Sequence, residues 1–143
     1  TPLIESVYTI FSGRYENNVV TAILDRESRV EILIAPGILK FKDETAIFED
    51  NKGFIAAWGS PVTEYGTIGI ALIWNPHNFD GLFERENGRF IKLKPSSDGK
   101  VKYLSLAVWN RGSAEQPDSF KPFIDMVERL ALGFQNPVLV EIY

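Results

Sequence analysis

Short runs of β-branched and aromatic residues, separated by turn-forming residues, recur along most of the chain. Runs of this kind are typical of strands, and their regular spacing favours an antiparallel sheet or sandwich. We predict eight or nine strands, within the segments 6–11, 19–25, 29–35, 38–41, 45–50, 54–58, 67–74, 89–94 and 101–109. The segments 19–25 and 29–35 together are interpreted as a hairpin. Tight turns are expected at Asn51–Gly53, Asn87–Gly88 and Asp98–Gly99, where Asn, Asp and Gly tolerate turn conformations.

One helix is predicted near the end of the chain. From Ser119 onward, apolar residues recur at spacings of three and four positions, which places them on one side of a helix. Asp118 or Ser119 can cap the amino end, and Pro122 lies in the first turn, where a missing N–H costs little. Gly133 and Asn136–Pro137 are expected to end the helix. A final strand is then predicted over residues 138–142.

Alternation along two central strands predicts how the layers pack. In the segment 67–74, Ile70, Leu72 and Trp74 share one face, and the opposite face carries smaller residues that include Gly69 and Ala71. In the segment 101–109, one face carries Tyr103, Ser105, Ala107 and Trp109, and the other carries Leu104, Leu106 and Val108. We expect the bulky faces to form the sandwich interior and the helix to cover the small-residue faces.

Composition limits the range of partners. The chain has 143 residues, a net charge of −4 and scattered basic residues, so a single domain without a nucleic-acid partner is expected. The sequence contains no apolar run of the roughly 20 residues that a membrane-spanning helix needs, so no membrane partner is expected. With no cysteine and one histidine, no zinc site and no cofactor is expected. The chain starts at Thr1, and we therefore expect a processed chain or a piece of a longer protein.

Three tryptophans, Trp58, Trp74 and Trp109, end strands just before polar residues. An indole face can stack on the C–H groups of a sugar ring while nearby polar groups bind its hydroxyls. Asn75, Asn110 and Arg111 directly follow two of these tryptophans. The predicted ligand-binding residues are therefore Trp74, Asn75, Trp109, Asn110 and Arg111. The alternative is that these tryptophans close the core, with their N–H groups bonded to loop carbonyls.

His77 is the candidate for acid–base chemistry, because the ordinary pKa of histidine lies near neutrality. Glu64 or Asp80 could orient it, so His77 and Glu64 are named as candidate catalytic residues. The alternative is a turn residue held by Pro76 and Asn78, with Asp80–Gly81 completing the reversal.

Paired carboxylates occur at Glu27/Glu31, Asp43/Glu44 and Glu49/Asp50. Two carboxylates can hydrolyse a glycoside only when both flank one cleft, and these pairs follow the pattern of a solvated rim. The acidic segment 41–50 resembles an edge strand protected by charge. No metal site is predicted, since no calcium-loop motif is present.

The segments GFIAAWGSP, GTIGIALIWNP, YLSLAVWNRG and SFKPFIDMVERLALGFQNPVLVEI resemble a known family over roughly residues 28–142. It is the C-terminal part of a bacterial family of uncharacterised proteins, often encoded beside unsaturated rhamnogalacturonyl hydrolases and grouped with the galactose-mutarotase-like supersandwiches. The resemblance implies half or part of a supersandwich, a role in breaking down pectin-like polysaccharides, and a periplasmic or secreted location. Mutarotases use a histidine and a later glutamate. Here the histidine lies in NPHNFDG, whose spacing differs from the mutarotase motif.

Three functions stay open at this point. The first is a β-sandwich that binds or positions an acidic glycan without chemistry of its own. The second is a sugar-active enzyme of mutarotase, epimerase or lyase type that uses His77. The third is a structural module that packs on a neighbouring domain through its small-residue face, which a large exposed apolar patch would favour. The expected partners, besides a carbohydrate, are a partner domain or a second copy in a homo-oligomer.

Overall fold

The computed structural model describes residues 3–24, 31–113 and 115–141, and within them the chain forms nine strands, one α-helix and two short 3-10 turns. The strands are β1 (Ile4–Ile10), β2 (Glu16–Ile23), β3 (Gly37–Leu39), β4 (Thr45–Glu49), β5 (Phe54–Gly59), β6 (Ile68–Trp74), β7 (Phe79–Arg85), β8 (Gly88–Leu93) and β9 (Lys100–Trp109). The helix α1 covers Phe120–Gln135, and the 3-10 turns cover Thr63–Tyr65 and Pro76–Asn78.

The strands form two antiparallel sheets. A six-stranded main sheet has the order β1-β2-β9-β6-β5-β4, and a three-stranded small sheet has the order β3-β8-β7. Every paired neighbour runs antiparallel. The prediction of a mainly β, sandwich-like fold with one helix near the C-terminal end is confirmed.

Two apolar clusters lie on opposite faces of the main sheet, because alternate residues of β5, β6 and β9 point to opposite sides. One cluster joins the main sheet to the small sheet through residues that include Leu72, Trp74 and Ile91. The other joins the main sheet to α1 through residues that include Ala71, Leu106 and Phe123. The helix therefore packs on the face of β6 that carries Gly69 and Ala71, as predicted.

The predicted orientation of β9 is wrong. Leu104 and Leu106 face the helix, and Tyr103 faces the small sheet. The pairing with β6 explains this, because Leu106 lies opposite Ala71, and Ser105 lies opposite Leu72. In each of these two pairs a large side chain on one strand lies opposite a small side chain on the other.

The predicted hairpin of residues 19–25 with 29–35 is also wrong. β2 pairs with β1 and β9 instead. In the segment 31–35, Ile34 forms an isolated bridge to Leu93 of the small sheet and packs against its core. Residues 25–30 lie outside the described residues.

Two further differences from the prediction concern an additional strand, β7, and the residues around the end of the helix. β7 was not predicted, because Asp80 and Gly81 were interpreted as a turn; they lie instead in a strand whose register shifts between Phe79 and Gly81. The final strand predicted over 138–142 is wrong for residues 138–141, which belong to no strand and are exposed; Ile142 lies outside the described residues. The helix runs past Gly133 to Gln135.

Candidate functional site

The predicted site residues fall into two groups at opposite ends of β6. Ile68 pairs with Trp109 at one end, and Trp74 pairs with Tyr103 at the other. At about 3.4 Å per residue, these two pairs lie about 20 Å apart. We name the first group the indole end (Glu64, Tyr65, Trp109, Asn110 and Arg111) and the second the lysine end (Asn75, Asn78, Ser96, Lys100 and Lys102).

At the indole end, the loop before β6 is tied to the end of β9 by side-chain donors. The indole Nε1 of Trp109 donates to the carbonyl of Tyr65 at 2.8 Å. One terminal nitrogen of Arg111 donates to the carbonyl of Glu64 at 3.0 Å. Both carbonyls belong to the first 3-10 turn, so these bonds hold the turn against the strand end.

Asn110 holds the loop before β6 through two hydrogen bonds to Thr67. Its Oδ1 accepts from the backbone N–H of Thr67 at 2.9 Å, and its own N–H donates to the carbonyl of Thr67 at 3.0 Å. Gly66, at a φ of 93°, lies so close that an added Cβ would meet Oδ1 of Asn110 at 2.6 Å. The predicted ligand residue Asn110 therefore has its carbonyl oxygen committed to the loop.

Two aromatic side chains remain open to solvent at this end. Trp109 is 44% exposed and Tyr65 is 67% exposed. Because the indole N–H is bonded to the Tyr65 carbonyl, the indole is fixed in place next to the residue that carries the phenol. Arg111 is exposed beside them and keeps further N–H donors free of the bond to Glu64. Two exposed aromatic side chains and an exposed cation therefore belong to this end of the sheet.

Sequence reasoning missed Tyr65 and Gln116 at this end. Gln116 accepts from the backbone N–H of Trp109 through its Oε1 at 2.9 Å. A signal for Tyr65 was present, because an aromatic residue directly before a glycine in a polar loop is a candidate for exposure. Gln116 could not be placed, since its position depends on how the chain turns between β9 and α1.

Trp74 is part of the core, and its predicted role in ligand binding is wrong. It is 1% exposed and packs in a three-ring cluster with Phe48 and Phe79, at centroid distances of 6.2 and 5.9 Å. Its indole N–H has no hydrogen-bond partner among the described residues. A ring enclosed in this way has no face for a sugar to stack on.

His77 lies exposed in the second 3-10 turn, where its backbone N–H donates to Oδ1 of Asn75 at 3.1 Å. The predicted pairing with Glu64 is wrong, because the two residues lie beyond opposite ends of β6. Asp80 does not orient it either, since its Oδ1 binds Nζ of Lys94 at 2.9 Å. That hydrogen bond raises the pKa of Lys94 above its ordinary value. Among the residues that the structure describes, none forms an acid–base pair with this histidine.

Asn75 lies at the edge of a cleft of about 400 Å³ at the lysine end. Lys100 and Lys102 line it from alternate positions of β9, and neither forms an ion pair within the described part of the chain. Asp98 also lines the cleft, and its Oδ1 accepts from the backbone N–H of Lys100 at 3.0 Å. The cleft is completed by polar loop residues and by the carboxyl end of α1: Asn78, Ser96, Gly133, Phe134 and Pro137.

The two lysines were missed because the basic residues appear scattered when they are counted along the chain. The alternation in KVK at 100–102 places both ammonium groups on one face of β9, and this signal was available in the sequence. Asn78 could not have been placed with them, because its amide reaches the carbonyl of Lys94 and Oγ of Ser96 only through the packing of the loop.

One member of the paired carboxylates has structural partners in the described part of the chain. Glu44 binds Arg89 and accepts from the backbone N–H of Phe41, so it has a structural role. Glu27 lies outside the described residues. Across residues 3–24, 31–113 and 115–141, no group of three or more acidic or histidine side chains is arranged to hold a metal ion. In the same ranges no helix has the length and apolar character needed to cross a membrane.

Comparison of the chain with protein-family models, with curated proteins and with solved structures finds no match. The resemblance to the supersandwich family therefore stays a prediction.

Proposed function

We propose that this chain is a glycan-binding β-sandwich domain that holds an acidic polysaccharide without transforming it. The observation that carries the proposal is the exposed Trp109 indole, fixed through its N–H next to the exposed Tyr65 and beside Arg111. The unassembled surroundings of His77 favour binding over a mutarotase, epimerase or lyase reaction, which would need an oriented acid or base.

The exposed indole of Trp109 suits a sugar ring. The ring carbons of a pyranose present apolar C–H groups, and an immobilised indole binds them without first having to be ordered. Arg111 adds N–H donors that can bind a hydroxyl or, in a bidentate way, a uronate carboxylate. Its bond to the Glu64 carbonyl limits the motion of the guanidinium.

The preference for an acidic glycan is supported by the lysine end. Two ammonium groups that form no ion pair with the described residues lie in one cleft with the amide of Asn75, whose Oδ1 accepts from the backbone N–H of His77. These donors outnumber the acceptors there, since Asp98 contributes the cleft's only carboxylate among the described residues. We infer that carboxylates of the ligand bind in this cleft, which lies at the other end of β6 and, by alternation along β9, on the opposite face of the main sheet from the Trp109 side chain. Such a domain fits polysaccharide degradation outside the cytoplasm.

The test is calorimetric titration with short oligogalacturonides and with neutral oligosaccharides of the same length. We expect binding to the acidic series, weakened at least tenfold by Tyr65→Ala or Trp109→Ala, equivalent to about 1.4 kcal/mol. Tyr8→Ala is the matched control, because Tyr8 is 64% exposed but lies on β1 at the far edge of the main sheet. The proposal would be contradicted if neither series bound, or if Tyr65→Ala and Tyr8→Ala reduced the affinity equally.

The lysine end is tested separately. Replacing Lys100 and Lys102 together by glutamine is expected to reduce the preference for acidic over neutral ligands. Lys42→Gln removes a charge from an exposed turn elsewhere and is expected to leave that preference unchanged. If the double variant keeps the full preference, the lysine end does not bind the carboxylates.

A second function, an interaction module, is favoured by one observation. β1 and its flanking positions expose several large apolar side chains, which favours a module of this kind, although α1 covers the small-residue face of β6 that the third hypothesis names.

A further inference from the structure

β1 is an edge strand of the main sheet and is exposed along its whole length. It pairs with β2 on one side only, and every one of its seven residues is exposed. Large apolar side chains dominate the strand and its two flanking positions: Leu3 at 62%, Ile4 at 44%, Val7 at 52%, Tyr8 at 64%, Ile10 at 74% and Phe11 at 46% exposure. An edge of this kind is a template for pairing with another strand.

Proteins that keep such an edge free usually block it with lysine, proline, a bulge or a short strand. β1 has none of these devices: its register with β2 is continuous from Ile4 to Ile10, and Glu5 is its one charged residue. The opposite edge of the main sheet is different. β4 is shorter, ends at Glu49 and follows the charged residues 42–44.

The hydrogen bonds show which backbone groups of β1 are free. The N–H of Leu24 donates to the carbonyl of Leu3 at 2.9 Å, so Leu3 points its backbone groups toward β2. Direction alternates along a strand, so Glu5, Val7 and Thr9 also point toward β2. The hydroxyls of Ser6 and Thr21 lie 2.9 Å apart, which fits a pair that exchanges no backbone bonds. The outward N–H and C=O groups therefore belong to Ile4, Ser6, Tyr8 and Ile10.

We propose that β1 pairs antiparallel with β1 of a second copy of this chain, around a two-fold axis at Val7. This register sets Ile4 opposite the partner's Ile10 and Ser6 opposite the partner's Tyr8. All the outward backbone groups then exchange hydrogen bonds. A two-fold interface requires a self-complementary surface, and this strand provides one.

Charge also agrees with a second copy as the occupant. In the same register Glu5 lies opposite the partner's Thr9, so the interface sets no like charges against each other. Isoleucines meet at both ends of the paired segment. The two main sheets become one continuous sheet, and the indole ends are unaffected. The proposal is thus independent of glycan binding.

A single-cysteine variant tests the register directly, because the chain contains no cysteine. Val7 lies on the axis in a pair without backbone bonds, where Cα atoms are about 4.5 Å apart, within reach of a disulfide. Val7→Cys is expected to form a disulfide-linked dimer on mild oxidation. Glu5→Cys is the control on the same face: the two cysteines would lie about 14 Å apart, too far to bond.

Sedimentation analysis of the unmodified chain and of Ile10→Lys completes the test. We expect a dimer for the parent chain and a monomer with an unchanged circular-dichroism spectrum for Ile10→Lys, since a lysine would face the partner's Ile4. Leu139→Lys, at a residue that is 88% exposed outside any strand, is expected to stay dimeric. A parent chain that is monomeric at every concentration would overturn the proposal. Equal cross-linking of Val7→Cys and Glu5→Cys would do the same.

Discussion

The ring of Phe123 on α1 lies directly against the backbone of Gly69 in β6. A Cβ added at Gly69 would come within 2.7–2.8 Å of three atoms of that ring. Phe123 is fully buried there, and the ring of Trp58 lies 5.4 Å from it. The absence of a side chain at Gly69 thus sets how closely the helix approaches the main sheet, and the helix in turn covers one whole face of β6.

We therefore predict that Gly69→Ala destabilises the fold by about 1–3 kcal/mol, the usual cost of overfilling a packed core. Urea unfolding followed by circular dichroism measures the change. Because the added methyl group meets a buried ring, the helix must shift, and Phe123→Leu in the same chain should recover part of the loss. An unchanged midpoint for Gly69→Ala would show that the helix is not held at this distance.

Gly133 lies in α1, the helix that packs on Gly69, and for this glycine we predict the opposite effect of an alanine. An added Cβ there meets no atom within 4 Å, and Gly133 lies inside α1. Gly133→Ala is expected to stabilise the fold by about 0.5–1 kcal/mol, because alanine restricts the unfolded chain and favours the helix. The same urea experiment measures it. A loss of stability would mean that the helix ends before residue 133 in solution.

Periodicity in the sequence predicted α1, the strands of the main sheet and the face of β6 that the helix covers. Those predictions succeed because apolar spacing reports directly which side of an element is buried. The same rule failed for residues 138–141, whose alternation resembles a strand although no neighbouring strand pairs with them. It failed for β7 because a strand with a register shift can contain Asp80 and Gly81, which usually indicate a turn.

The candidate site was predicted in part. Trp109, Asn110 and Arg111 do lie together, because consecutive residues at a strand end share one edge of the sheet. Glu64 and His77 could have been separated from the sequence, since a seven-residue strand lies between them and spans about 20 Å. The contact of Trp109 with the Tyr65 carbonyl could not, because it depends on how the preceding loop folds back.

Tyr103 gives the chain an alkaline sensitivity. Burial raises the pKa of the Tyr103 phenol above its ordinary value of 10, and the neighbouring Tyr8 adds to the rise, while a hydrogen bond with Thr21 opposes it. The folded state then keeps this proton at a pH where the unfolded chain loses it. The contribution of this phenol to the free energy of unfolding is fully present below pH 10. It decreases as the pH rises toward the pKa of Tyr103 in the folded state.

When the pH is raised from about 8 to about 11, we expect the free energy of unfolding to decrease less for Tyr103→Phe than for the parent chain, since the variant has no phenol to ionise at position 103. Urea unfolding at both pH values gives the difference, and the lysines titrate equally in both proteins. Tyr8→Phe keeps the burial of Tyr103, so it should retain most of the alkaline loss. Identical losses in the parent chain and in Tyr103→Phe would exclude Tyr103 as the cause.

Arg89 links two carboxylates of unequal burial between the sheets. Its guanidinium binds Glu44, whose side chain is 9% exposed, and its Nε lies 3.3 Å from Glu84, whose side chain is 50% exposed. Arg89→Met should cost about 2–3 kcal/mol, because it leaves the buried Glu44 carboxylate without its cation. Glu84→Gln should cost less than Arg89→Met, since water screens an exposed ion pair. Replacing both Arg89 and Glu44 by methionine should recover much of the first loss. Urea unfolding of the parent chain, Arg89→Met, Glu44→Met and the double variant forms a double-mutant cycle. Additive losses in that cycle would show that Arg89 and Glu44 do not interact in solution.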